Sequence, residues 1–233
     1  MSTAIWHEVE CGAYAADLAL WERLADERPG AILDLGCGGG RVALHLARRG
    51  HRVLGLDSDP ELVERARALD LESEVGDARE FDLGVSFGLV LAPMQLLQLF
   101  GGREERVRCL RSIAKHLSSD GLAAPAIVEA MPPAAEDASP LPDTREVDGW
   151  VYSSLPVGAV SEGGEIRIER LRQTVSPAGE LSEEHDEVRL RELDAATLEG
   201  EAREAGLRAA GRLPIDPTEA HVGSTVVLLE LEA

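Results

Sequence analysis

Three features of this 233-residue chain predict an open, doubly wound α/β fold. Apolar runs alternate with helical patterns through the first half, glycines join the first strand to the first crossover helix, and an acidic residue closes the second strand. The first strand is Ile32-Leu33-Asp34-Leu35, and Gly36, Gly38, Gly39 and Gly40 follow it. Glycine belongs where the backbone turns sharply and a ligand approaches it, since no Cβ is there to clash. Asp57 ends the second run, Arg52 to Leu56. It stands about twenty positions past the first glycine, where such folds grip a nucleoside ribose.

The elements follow in order. Residues 12–27 read as an amphipathic helix with Tyr14, Leu18, Trp21 and Leu24 at helical spacing, stopped by Arg28-Pro29-Gly30. Trp21 belongs to its core face. The crossover helix runs from Val42 to Arg49. The next helix opens with Asp59 as cap and Pro60 at its first position: one accepts orphan N–H groups, the other pre-sets φ. Leu71 to Val75 is a third strand and Phe87 to Leu91 a fourth, ending in Ala92-Pro93-Met94-Gln95. Met94, Leu96 and Leu97 are expected to line a wall or fill the core. A helix covers 103–117, with His116 as a favourable cation near its C-terminus. Ser118 to Gly121 turns into a fifth strand, Leu122 to Glu129, in which Pro125 removes a ladder donor. Residues 131–145 read as a loop.

From 147 to 192 the pattern changes to strands without intervening helices: Val147–Val157, Ile166–Val175 and Val188–Leu193, read as a three-stranded antiparallel flap. Asp194 caps a last helix through Ala205, stopped by Gly206, and Leu207 to Leu213 and Ser224 to Leu231 are the last strands. The organisation is thus an N-terminal lid helix (1–30), a core (31–146 and 193–233) and a flap inserted in the core (147–192).

The glycine spacing selects among nucleoside ligands. Gly36 and Gly38 fit the first two positions of the dinucleotide fingerprint, but the third falls on Arg41. Asp34, before the first glycine, would repel a pyrophosphate and suits a cationic, zwitterionic ligand. Leu33 to Gly40, taken with Asp57 and Asp77, resembles the class I S-adenosylmethionine-dependent methyltransferases of the small-molecule type, from about residue 14 to 121.

The resemblance implies a Rossmann-like seven-stranded sheet of order 3-2-1-4-5-7-6, strand 7 antiparallel, with the flap roofing the substrate pocket. It implies S-adenosylmethionine as cofactor. Asp57 would take the ribose hydroxyls and Ser58 the adenine face, while Asp77 accepts from the adenine amino group and Ala78 follows along the base. Backbone at Gly36, Cys37 and Gly38 would pass under the methionine portion, with Asp34 near its ammonium. Arg41 is a candidate for the methionine carboxylate, Tyr14 for a cover over the ligand, and Leu91, closing the fourth strand, for the cofactor wall. Family members that methylate adenine or glutamine nitrogen carry Asn/Asp-Pro-Pro-Tyr/Phe after that strand. Ala92-Pro93-Met94-Gln95 excludes that subclass.

A formal charge of −20 and a pI near 4.6 argue against a phosphate-backbone partner or an anionic membrane. Three cysteines without metal-ligand spacing suit a reducing cytoplasm, and neither a signal peptide nor a membrane span is visible. No metal is expected. The methyl acceptor is expected to be the oxygen or nitrogen of a small metabolite, the protein a monomer or homodimer. A protein methyltransferase and a non-enzymatic S-adenosylmethionine-binding protein are the alternatives. Where the acceptor must lose a proton a base is needed, and His7 and His221 are the leading candidates, ahead of His185 and Tyr152. His221 falls in the 214–223 connection with Asp216 and Glu219, placed on the ligand side by the expected topology.

Overall fold

All four residues of β1 (Ile32–Leu35) are buried, as expected of a parallel strand covered on both faces. In the computed structural model, which describes residues 2–131, 141–218 and 221–232, β1 lies between β2 (Val53–Asp57) and β4 (Phe87–Ala92), parallel to both. The full sheet adds β3 (Ser73–Val75), β5 (Leu117–Ile127), β10 (Leu207–Ile215) and β11 (Ser224–Leu231) in the order β10-β11-β5-β4-β1-β2-β3. Counted within this sheet, that is 3-2-1-4-5-7-6, with β11 antiparallel to both neighbours.

Side chains alternate across the sheet. Leu33, Leu35, Val90 and Ala92 pack with residues of α5 (Arg103–His116) and α6 (Ala195–Glu204) on one face. Ile32, Leu89 and Leu91 pack on the other with α2 (Leu18–Glu27), α3 (Arg41–Ala47) and α4 (Pro60–Arg67). Capping follows the sequence: Asp59 accepts from Glu61 N–H at 2.8 Å, and Asp194 from Thr197 N–H at 2.7 Å.

Several expectations are corrected. The first helix is two: α1 (Thr3–Cys11) precedes a turn, and α2 starts at Leu18 rather than residue 12. The flap has four strands and begins earlier, with β6 (Asp143–Val147), β7 (Trp150–Glu162), β8 (Glu165–Val175) and β9 (Leu181–Arg191) pairing in sequence order. Residues 118–121 lie inside β5, where pairing with β4 jumps from Phe87–Leu117 to Leu89–Leu122. Pro125 stays in register with Ala92, and the ladder to β11 has partners at Val226–Ala126 and Leu229–Ala123, on either side of it.

His116, in the last turn of α5, is a buried hydrogen-bonding group. It is 2% exposed, its Nε2 accepts from Leu83 N–H at 3.0 Å, and Nδ1 meets the Ser112 carbonyl at 2.8 Å. Glu219 and most of the 131–145 loop fall outside the described residues. No helix among the described residues is long and apolar enough to cross a membrane.

Candidate active site

A cavity of about 1430 Å³ opens over the ends of β1, β2 and β4, between the large sheet and the antiparallel one, with α1 as part of its roof. A single drug-sized ligand fills roughly 300–1,000 Å³, so this volume admits two molecules side by side.

The floor is built from backbone. Gly36 and Cys37 N–H both donate to the Leu56 carbonyl, at 2.8 and 3.1 Å, which ties the glycine loop to β2. Gly38 has φ +55°, and its N–H donates to Asp57 Oδ2 at 2.8 Å. Asp57 Oδ1 accepts from Asp59 N–H at 2.9 Å, so the carboxylate is aimed by two amides and keeps lone pairs for a ligand. A Cβ at Gly38 would stand 2.4 Å from the His7 ring, which rests on this loop.

Asp34 lies beneath the loop, 1% exposed. Oδ2 accepts from Ala43 N–H at 3.0 Å, while Oδ1 has no partner. Burial pushes its carboxyl up to about 7, against the lowering effect of Arg41. An unpaired buried acceptor is costly. Ser58, Asp77 and Ala78 line the same end of the cavity. Asp77 is gripped by Arg79 at 2.7–3.0 Å, which holds its carboxyl below the usual range.

Two sequence expectations, for Arg41 and Leu91, meet a different geometry. The Arg41 guanidinium turns inward, bonding Asp17 at 2.6 and 2.7 Å and the Tyr14 carbonyl at 2.9 Å. It supports Tyr14, whose ring it covers at 5.0 Å, instead of reaching a ligand carboxylate. The Cys37 side chain is buried against Gly55, and burial raises its thiol pKa. Leu91 is fully buried on the α2–α3 face of the sheet; Pro93 and Met94, just past the strand, line the cavity in its stead.

Both candidate base histidines border the cavity. His221 tilts against Tyr14, ring centroids 4.5 Å apart, and its backbone closes a turn with Thr218. Burial lowers the pKa of His221, and likewise that of His7. His185 stays exposed on β9. The Tyr152 ring stands edge-on to Trp6 at 5.5 Å.

Met94 lines the cavity wall, as expected; several other features of the site were not anticipated from the sequence. Met94 and Gln95 have φ +53° and +63° directly after β4, a strain of about 1–3 kcal/mol per residue. It turns Gln95 toward Ser224, at 3.2 Å. Gln98, fully buried, bonds Val128 of the β5 end and the Arg191 carbonyl of β9, fixing the antiparallel sheet to the floor. Above, Glu10 of α1 accepts from Arg172 at 2.7 and 2.9 Å and from Ser154 Oγ at 2.7 Å. Arg170 joins Ser154 and Asp143. Arg170 and Arg172, two apart on one face of β8 after Ile166 and Ile168, were the available signal: period-2 alternation puts them toward the cavity.

Residues 32–121 match the family model described as a methyltransferase domain. The chain is 33% identical over 115 residues to a cypemycin N-terminal methyltransferase of a Streptomyces species, covering 46% of each protein. It is 32% identical over 110 residues to a dTDP-3-amino-3,6-dideoxy-α-D-glucopyranose N,N-dimethyltransferase of Streptomyces fradiae, covering 46% of this chain and 43% of that one. The matched stretch thus spans about half the length of these curated relatives. Among solved structures, DesVI of Streptomyces venezuelae superposes with a TM-score of 0.75 at 23% identity, over 100% of this chain and 97% of that one.

Proposed function

We propose that this chain, whose residues 32–121 match the methyltransferase-domain family model within a class I methyltransferase fold, binds S-adenosylmethionine and moves its methyl group to nitrogen or oxygen of a small molecule. The observation that carries the reading is the carboxylate of Asp57, aimed by Gly38 and Asp59 N–H into a cavity with room for two ligands. Asp57 holds the ribose hydroxyls, Ser58 and Ala78 flank the base, and Asp77 accepts from its amino group. Backbone at Gly36, Cys37 and Gly38 supports the methionine portion, Asp34 attracts its ammonium, and Tyr14 covers it. The unpartnered Asp34 oxygen fits a cationic ligand and not a pyrophosphate. The cofactor's sulfonium supplies an activated methyl, so the protein's task is placement. Orientation alone is worth roughly 7–11 kcal/mol.

His221 is the proposed base. Burial favours its neutral form, ready to take a proton from an acceptor amine or hydroxyl, a step worth roughly 10²–10⁴ in rate. His7 lies on the glycine loop and serves the cofactor end. Nitrogen is the favoured acceptor atom, supported by the printed names of the two relatives. The excess of carboxylates supports a non-nucleic-acid substrate, and three unpaired cysteines support a cytoplasmic protein, monomeric or homodimeric.

The test is incubation of the protein with S-adenosylmethionine bearing a deuterated methyl and a small-metabolite extract, read by mass spectrometry. A labelled small molecule is expected. Label confined to protein or nucleic acid would overturn the reading.

A further inference from the structure

The substrate half of the cavity has no cation to spare. Three arginines line the whole cavity, and each faces carboxylates. Arg79 pairs with Asp77 at 2.7 Å and Glu105 at 3.2 Å. Arg170 pairs with Asp143, and Arg172 with Glu10 at 2.7 Å and Asp186 at 2.9 Å. Against these three stand six lining carboxylates, among them Glu184, which has no arginine within bonding distance among the described residues. Residues 132–140 and 219–220 contain no Lys or Arg that might add one. In this half an anionic ligand would have to displace a carboxylate from Arg170 or Arg172, both largely buried, leaving that carboxylate uncompensated.

The rest of this half is apolar. Leu99, Pro156, Val157, Ile168 and Val188 line it between the turn after β4 and the antiparallel sheet. Leu99 and Val157 are about half exposed at 52% and 48%, large apolar side chains left facing water at the mouth. Hydrogen-bonding groups gather at the other end, where Gln95, Ser224, Tyr14 and His221 meet.

Resting on the methyltransferase reading above, we infer that the acceptor is an amphiphile without an anionic group: an apolar body lies on the Leu99–Val188 wall and an amine or hydroxyl head reaches His221. This separates the chain from any enzyme whose acceptor is a nucleoside diphosphate sugar, because two phosphates would find only arginines already in use. Specificity here is exclusion as much as attraction.

The experiment is calorimetric titration of the whole chain with S-adenosylhomocysteine, then, on the saturated protein, with butylamine, hexylamine, octylamine, octanoate and thymidine diphosphate. Affinity is expected to rise about fourfold per added methylene along the amines, as buried CH₂ groups dictate. Octanoate is expected at least about tenfold weaker than octylamine, and thymidine diphosphate without detectable heat. A flat amine series, or octanoate or thymidine diphosphate binding as tightly as octylamine, overturns the inference. Glu10→Gln releases Arg172 from one carboxylate and should strengthen octanoate by about tenfold; unchanged octanoate binding overturns the pairing argument, and the native-protein series decides alone should the variant not fold. Failure of S-adenosylhomocysteine to bind strikes the cofactor reading instead, and the same series on the free protein still reads the wall.

Discussion

The floor and the roof of the cavity are held by different means. The floor consists of backbone amides and short-range caps: Gly38 N–H on Asp57 is a contact across 19 positions, Asp59 N–H on Asp57 across two. The roof hangs on side chains distant in sequence, with Glu10 and Arg172 separated by 162 positions. A cofactor common to many enzymes is met by geometry that motifs encode, an individual acceptor by pairings that no motif encodes. The two regions should therefore fail in different ways when perturbed.

The largest effect is expected on the floor. Asp57→Ala removes the proposed ribose acceptor and the partner of two amides, and hydrogen bonds to a charged group are worth roughly 1.5–3 kcal/mol each. S-adenosylhomocysteine affinity should fall by about 10² or more while alkylamine binding is kept; retained affinity within about threefold would remove Asp57 from the site.

Glu10→Ala strikes the roof. Removing one partner of a largely buried pair costs about 3 kcal/mol, which for a chain of this size lowers the melting temperature by roughly 6–12 °C. Cofactor affinity should change little and acceptor KM should rise. A variant that melts like the parent would show that α1 is not held through Glu10.

These two substitutions also mark how much of the molecule its sequence discloses. Sheet order and helix caps were legible because each depends on residues close in sequence, and the same locality places Gly36, Asp57, Ser58, Asp77 and Ala78 along the cavity, where their roles toward a ligand are the proposal. The helix α1 was not. Its cavity face is Thr3, Trp6, His7, Glu10 and Cys11, a helical spacing of mostly polar residues, and only Trp6 and Val9 of the helix are buried. Hydrophobic periodicity registers apolar stripes, and this stripe is polar. The same reason hid Glu10, Ser154, Arg170 and Arg172, whose roles exist only once strands far apart meet. Arg41 and Leu91 erred at finer grain: local sequence placed them near the ligand, and side-chain direction took them to Asp17 and to the core.

A smaller effect sharpens the view of the floor. Asp34 titrates near 7 in the folded chain against an ordinary 3.8. Between those values the folded form binds more protons than the unfolded, so Asp34 lowers stability as pH rises from about 4 to 7. A ligand ammonium wants the ionised carboxylate, so S-adenosylhomocysteine affinity should rise roughly fivefold from pH 6 to 7, about twofold more by pH 8, and level off above. Asp34→Asn should flatten that profile. A native profile already flat would take Asp34 out of cofactor binding.

The smallest effect is expected for Leu91→Met, a volume-conserving change on the face of β4 turned away from the cavity. Stability should drop by less than about 1.5 kcal/mol and cofactor affinity by less than about twofold. A tenfold loss of affinity would return Leu91 to the cofactor wall.

The most direct measurement is calorimetric titration of the native chain with S-adenosylmethionine, S-adenosylhomocysteine and NAD. One-site micromolar binding of the first two, with no heat from NAD, is the predicted result. Binding of NAD with silence from both sulfur compounds would contradict the assignment of the glycine loop, Asp34 and Asp57 to a sulfonium cofactor.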